Sequence, residues 1–321
     1  MVWADRRMSE AGRTATQGAS AACCGVELSP GHLGCKGCGA ALAMRLALEA
    51  LGPRIVLVIP ACCMAVVDGP APFHAFHVPM LHCAFAATAS VATGVRAGLD
   101  RRGIDDVTVV GFAGDGGTFD IGLQSLSGAA ERNENILYIC YDNEAYMNTG
   151  AQRSSATPEL ATTTTTPRSH PKRGRKKRIA QILAAHGIPY LATASIAFPD
   201  DFAAKLRSAQ ATSGFRFLHV LAPCPTGWGA QSDMTVRLAA LAVHTRTFPL
   251  LEVRDGIAWT LTHRSRGEPV SSYLRLQKRF AHLSPDEIAQ VQTKVDADWE
   301  AMIRLARADA PGQADCRRGK S

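Results

Sequence analysis

No stretch of this 321-residue chain approaches the ~18 consecutive apolar residues of a membrane-spanning helix, so membrane insertion is not expected. The N-terminus shows no hydrophobic segment followed by a cleavage site, which argues against a secretory signal and for a cytoplasmic location. No internal repeat is present. The segment Arg168 to Arg178 contains no acidic residue and seven Lys/Arg. It also lacks interleaved aromatic rings, which argues against nucleic acid as its partner. A loop facing an anionic ligand or an acidic partner, or a solvated loop, remains open for it.

What is present suits a globular enzyme. Hydrophobic residues make up 46% of the chain, enough for one large α/β domain or two smaller ones. Ten cysteines without a secretion signal point to metal or redox use rather than disulfides. Residues 1–28 and 307–321 lack periodicity and are expected to be tails.

The organising stretch runs from Gly114 to Gly150. An apolar run, Val107 to Gly111, reads as a buried strand. A Gly-Asp-Gly-Gly turn follows, then a helical pattern over Ile121 to Arg132, then a second buried strand, Ile136 to Tyr141. Two parallel strands joined by one helix bring Asp115 and Asn143 to one sheet edge, beyond the carboxyl ends where ligands bind. A carboxylate and an amide oxygen are hard ligands suited to Mg²⁺ shared with substrate phosphates. Gly114, Gly116 and Gly117 allow close backbone approach to phosphate oxygens, and a helix opening near Thr118 adds its dipole. Gly-Asp-Gly with Asn 28 positions after the aspartate matches the signature of thiamine diphosphate enzymes. The expected fold class is α/β, a mainly parallel sheet with helices on both faces.

The cysteines follow a second pattern. Cys35 and Cys38 form a CxxC in a Gly-rich knuckle leading into a helix over Ala40 to Leu51. Cys63 follows the strand Ile55 to Pro60, and Cys224 follows the strand Phe217 to Leu221, in Ala-Pro-Cys-Pro-Thr-Gly-Trp228. Four thiolates at one edge suit a cubane iron–sulfur cluster or a zinc ion, and spacing alone does not choose between them. Cys83 and Cys140 read as small buried hydrophobes. Cys23, Cys24 and Cys316 fall in the expected tails and carry no role.

The segment Tyr141 to Pro158, YDNEAYMNTGAQRSSATP, resembles the β subunits of pyruvate:ferredoxin oxidoreductases (pyruvate synthases). The similarity extends with gaps from about Ser29 to Arg304. It implies a thiamine-diphosphate-binding fold over residues 29–255, with a C-terminal helical extension over 256–306. It implies thiamine diphosphate, Mg²⁺ held by Asp115, Asn143 and the Ala145 carbonyl, and a [4Fe–4S] cluster on Cys35, Cys38, Cys63 and Cys224. It places Asn148 near the reactive thiazolium carbon, where an amide stabilises a developing oxyanion, and His82 close to the cofactor. The implied reaction is oxidative decarboxylation of pyruvate with CoA to acetyl-CoA and CO₂, or its reverse, with electrons passed to ferredoxin.

The chain has no convincing glutamate for the cofactor's pyrimidine ring and no further multi-CxxC segment. The resemblance therefore implies an α subunit and γ/δ-type subunits, and a chain inactive alone. Alternatives are a branched-chain 2-oxoacid, 2-oxoglutarate or oxalate as substrate, or a non-catalytic zinc-structured scaffold. Departures from the family's pattern stand at Cys62 (for Gly) and at Ala40, Ala65, Ala86 and Ala87 (for polar or acidic residues). His82 is expected just ahead of a helix over Cys83 to Leu99, with His74 and His77 in the preceding Pro-rich loop. Ile179 to His186, Asp200 to Gln210, Asp233 to Thr247, Val270 to Phe280 and Pro285 to Ala306 carry helical patterns, the last opened by a Ser284-Pro285 cap signal.

Overall fold

A computed structural model describes residues 28–308. Cys23, Cys24, Cys316 and all but the edges of the expected tails lie outside that range. The chain runs α1 (Gly39–Leu51), β1 (Ile55–Pro60), α2 (Cys63–Asp68), β2 (Met80–Cys83), α3 (Thr88–Arg101), β3 (Thr108–Gly114), α4 (Leu123–Glu131) and β4 (Leu137–Asp142). It continues through α5 (Ile179–Ala184), β5 (Tyr190–Ser195), α6 (Pro199–Ala211), β6 (Arg216–Leu221), α7 (Pro225–Trp228) and α8 (Thr235–His244). The last elements are β7 (Leu251–Arg254), β8 (Ala258–Leu261), α9 (Ser271–Leu274) and α10 (Pro285–Ala308).

The strands form one sheet in the order β2-β1-β3-β4-β6-β5-β7-β8. The first six are parallel, and β7 and β8 add an antiparallel edge. Side chains alternate between two buried layers, as the period of a strand requires. Ile55, Leu57 and Ile59 of β1 pack with Met44, Leu48, Phe202 and Leu206 of α1 and α6. Val58 points the other way, among Ala89 and Ala92 of α3 and Leu126 of α4. Each fully buried Leu, Val, Ile or Phe contributes roughly 1.5–3 kcal/mol. The expected mainly parallel α/β sheet, covered on both faces, is what forms.

Local signals explain the helix starts. Pro199 opens α6, with Asp200 and Asp201 in the positive first turn. Ser284 and Glu287 exchange hydrogen bonds ahead of α10 (2.8 and 3.2 Å), a reciprocal cap.

Three expected helices are corrected. His82 sits inside β2, because pairing of Ile59 with His82 and Pro60 with Cys83 holds that stretch extended. The helix begins only at Thr88, after a turn closed by Ala87 N–H on the Ala84 carbonyl oxygen (2.9 Å). Val270 to Phe280 is not one helix but the single turn α9 and a 3₁₀ turn, Lys278–Phe280. Gln277 is extended between them, and Arg279 is drawn to a buried partner, Glu144. The pattern over Asp233 to Thr247 starts as a 3₁₀ turn and becomes α8 only at Thr235. The sheet itself runs past residue 255, since β8 pairs with β7.

Candidate active site

All six parallel strands present their carboxyl ends to one edge, and the candidate residues follow four of them. β3 and β4 are direct neighbours, pairing Gly114 with Tyr141, so Asp115 and Asn143 emerge side by side. The Asn143 amide oxygen lies against two further acceptors, Asp115 Oδ1 (2.9 Å) and the Ala145 carbonyl oxygen (3.0 Å), and only with the amide turned over would its nitrogen donate to both. Three groups expected to share a cation therefore meet at one point. An octahedral Mg²⁺ with bonds of about 2.1 Å separates adjacent oxygens by about 3.0 Å. The Asn143 amide oxygen already stands at such a corner, so the donor set fits this ion.

Asp115 is fully buried, and its Oδ2 accepts a hydrogen bond from Ser154 Oγ at 2.5 Å. Burial, followed by the charge of Asp142, pushes the Asp115 carboxyl well above the carboxylate range. A divalent cation at this point reverses that preference. Directly after Asp115 the chain makes a π-helical turn, Gly116–Asp120, and the helix expected over Ile121 to Arg132 follows as α4. Such turns recur at functional sites. A Cβ on Gly116 would fall 2.5 Å from the Tyr146 ring, so the glycine lets the two loops close on each other.

Met147 to Gly150 forms a turn, with Gly150 at φ +121° and Asn148 exposed on it. His82 stands on the edge strand with its side chain half exposed. Its Nε2 lies 3.6 Å from Oδ2 of the buried Asp68, and His74 Nδ1 lies 3.0 Å from the same oxygen.

The four cysteines come together on the same edge. The knuckle is tied to the Cys224 segment by Gly39 N–H on the Pro223 carbonyl oxygen (3.2 Å) and Thr235 Oγ1 on the Gly37 carbonyl oxygen (2.6 Å). Cys38 precedes α1, Cys63 is the first residue of α2, and Cys224 precedes α7. Cys38 Sγ accepts from Ala41 N–H and Cys224 Sγ from Gly227 N–H, each at 3.4 Å. Helix starts thus aim N–H groups at the sulfurs, which suits thiolates. Burial, then the neighbouring Cys62, Cys224, Cys38 and Cys35, pushes the Cys63 thiol up to about 12. Cys62, by contrast, is buried in the core against the Tyr141 hydroxyl.

Among the described residues, no three His, Cys, Asp or Glu side chains are drawn closely enough to share a single metal ion. A cubane gives each sulfur its own iron and does not require such convergence. Cys140 is buried in β4 as expected, and Cys83 closes β2 half-buried.

The sequence reading missed a buried charge network behind the Asn143 loop. Asp142 Oδ2 meets Lys176 Nζ (2.5 Å) and His219 Nε2 (2.6 Å). Lys176 also reaches Glu144 (2.8 Å), which pairs with Arg279 (2.5 Å). Burial opposes ionisation of Asp142, but Lys176 and His219 prevail and hold it at about 2. The basic run is therefore not simply solvated. Lys172 is buried on backbone carbonyls, Lys177 reaches the Phe119 carbonyl, and Arg175 and Arg178 meet Asp298 of α10. Ser154 was legible in principle, as it lies within the quoted segment.

The fold and this edge define a thiamine-diphosphate-binding α/β chain. Residues 62–220 match the family described as thiamine pyrophosphate enzyme, C-terminal TPP binding domain. The pyruvate synthase subunit PorB of Methanothermobacter thermautotrophicus is 51% identical over 274 residues, 84% of this chain and 95% of the relative. The ketoisovalerate oxidoreductase subunit VorB of Pyrococcus abyssi is 46% identical over 86% of this chain and 92% of its own length. A solved 2-oxoglutarate:ferredoxin oxidoreductase from Magnetococcus marinus shares the fold, with a TM-score of 0.55 at 24% identity, over 63% of this chain and 67% of that one. The chain belongs to the PorB family of pyruvate synthase subunits, within the 2-oxoacid:ferredoxin oxidoreductases. No helix among the described residues is long and apolar enough to cross a membrane.

Proposed function

We propose that this chain is the thiamine diphosphate and [4Fe–4S] subunit of a pyruvate:ferredoxin oxidoreductase. The complex would interconvert pyruvate and CoA with acetyl-CoA and CO₂. The observation that carries this reading is the meeting of two donor sets on one sheet edge: the oxygens of Asp115, Asn143 and Ala145, and the sulfurs of Cys35, Cys38, Cys63 and Cys224. When bound, thiamine diphosphate supplies the carbanion chemistry of 2-oxoacid decarboxylation, and the cluster takes up electrons singly.

The chain's own residues then have definite tasks. Asp115, Asn143 and the Ala145 carbonyl would hold Mg²⁺ for the diphosphate, with Ser154 Oγ donating to the Asp115 carboxylate. Gly114, Gly116 and Gly117 let the backbone approach phosphate oxygens. Asn148, exposed on its turn, is free to donate to a developing oxyanion. His82 borders the site, held toward Asp68. Cys63, rather than the core residue Cys62, completes the sulfur set.

The pyrimidine-side glutamate, CoA contacts and onward electron transfer fall to partner subunits of α and γ/δ type, with ferredoxin as acceptor. A branched-chain 2-oxoacid is the second reading, favoured by the identity with a ketoisovalerate oxidoreductase subunit. The complex should be purified anaerobically with all its subunits. Expected are about four irons per copy of this chain, acid-labile sulfide, bound thiamine diphosphate, and pyruvate- and CoA-dependent dye reduction. The isolated chain should not turn over. Zinc without sulfide would overturn the proposal in favour of a structural scaffold, and preference for 2-oxoisovalerate would select the second reading.

A further inference from the structure

The segment carrying Cys224 and the loop carrying Asn143 are joined at three points. The fully buried Trp228 closes α7, four residues after Cys224, and its indole N–H donates to the Asn143 carbonyl oxygen at 2.8 Å. The Arg279 guanidinium lies over the Trp228 ring, 3.9 Å from its centroid, and pairs with Glu144 Oε2 at 2.5 Å. Glu144 is the next residue after Asn143, so Arg279 grips both segments. Third, a Cβ on Gly227 would fall 2.1 Å from Met147 Sδ, so α7 and the Met147 turn touch without a gap.

A buried indole N–H usually finds some partner, so what bears on position is which partner it takes. Here the indole N–H is spent on the backbone of the residue whose side chain faces Asp115. The ring face is spent on an arginine that holds the following residue. The short helix is started by Cys224, whose Sγ accepts from Gly227 N–H at 3.4 Å. From Cys224 the path to the metal-facing loop runs through the single turn α7 to the fully buried Trp228 and on to the Asn143 carbonyl oxygen.

We infer that Trp228 is a positioning residue that fixes the cluster-binding segment to the metal–diphosphate loop. The two redox groups then keep one separation through turnover. This inference rests on the function proposed above. Electron transfer over a fixed gap requires such a fastening, whereas a scaffold would not.

The test is W228F in the assembled complex, with R279K as a second variant. Phenylalanine keeps an aromatic face for Arg279 but has no N–H. Lysine keeps the charge toward Glu144 but loses the planar stack. Iron and sulfide content, thiamine diphosphate affinity by calorimetry with Mg²⁺, and bleaching of the cluster by 2-oxoacid in a single turnover are measured together. W228F is expected to retain iron and sulfide while binding thiamine diphosphate about fivefold more weakly, the worth of one neutral hydrogen bond. Cluster bleaching should slow by more than this factor at saturating cofactor, with KM for the 2-oxoacid unchanged. R279K should shift both in the same direction by less. Unchanged affinity and bleaching in an iron-replete W228F would overturn the inference, as would a W228F that fails to assemble alongside an R279K identical to wild type. If the wild-type complex itself lacks iron and thiamine diphosphate, the proposed function fails, and this inference with it.

Discussion

Lys176 Nζ lies 2.5 Å from Asp142 Oδ2, and His219 Nε2 shares that oxygen at 2.6 Å. A residue from the basic run thereby neutralises a carboxylate sealed behind the metal loop. Lys176→Met leaves Asp142 and Glu144 with one cation fewer. Breaking a buried pair from one side costs about 3–5 kcal/mol, and the lower end applies because the Lys176 side chain is 25% exposed. Urea denaturation of the variant should show that loss. A change below ~1 kcal/mol would mean that water, not Lys176, compensates the two acids.

Asp115→Asn removes a buried carboxyl group and the proposed charged ligand for Mg²⁺. Magnesium-dependent thiamine diphosphate binding should weaken by more than tenfold. The cofactor-free chain should be no less stable than wild type, because burial already disfavours the charged carboxylate and the amide keeps an oxygen for Ser154. Calorimetric titration and a thermal melt separate the two effects. Undiminished binding would exclude Asp115 as a ligand.

Cys62 and Cys63 differ in environment rather than in chemistry. Cys63→Ser should lower iron and labile sulfide, whereas Cys62→Ser should leave both in place and lose about 1 kcal/mol for a polar group in the core. Iron and sulfide analysis of the two variants decides it, and the reverse pattern would exchange their roles.

Lys172 gives a pH effect with a definite sign. Burial, and then Arg153 and Lys176, lowers its ammonium from 10.5 to about 8. Between these values the unfolded chain binds the proton and the folded chain releases it. Stability should therefore rise, relative to Lys172→Met, as pH climbs from about 8 toward 10.5. The slope should stay below ~1.4 kcal/mol per pH unit. Paired urea melts across this window test it, and parallel curves for both proteins would refute the shift.

Asp298 meets Arg175 and Arg178 on the surface, with all three side chains more than half exposed. Asp298→Ala should cost under ~1 kcal/mol, since exposed pairs contribute little. α10 should remain docked through Trp299 and Met302, both buried. A thermal shift larger than a few degrees would show that the ion pairs hold the helix.

The sequence by itself determined the mainly parallel sheet and singled out the two candidate donor sets. Apolar strand runs, a Gly-Asp-Gly turn and cysteines just past strand ends are local patterns, and parallel winding brings strand ends to one edge. Only the tertiary structure decided which residues close around them. His82 became part of a strand because β1 offered it hydrogen-bond partners across a gap of more than 20 residues. Val270 to Phe280 broke because Arg279 was claimed by Glu144, 135 residues earlier in the chain. Ser154, Lys176 and Trp228 took their places for the same reason. Spacing in a sequence records repeats along a strand or helix, but a buried charge or hydrogen-bond donor is satisfied by whichever partner the fold brings near.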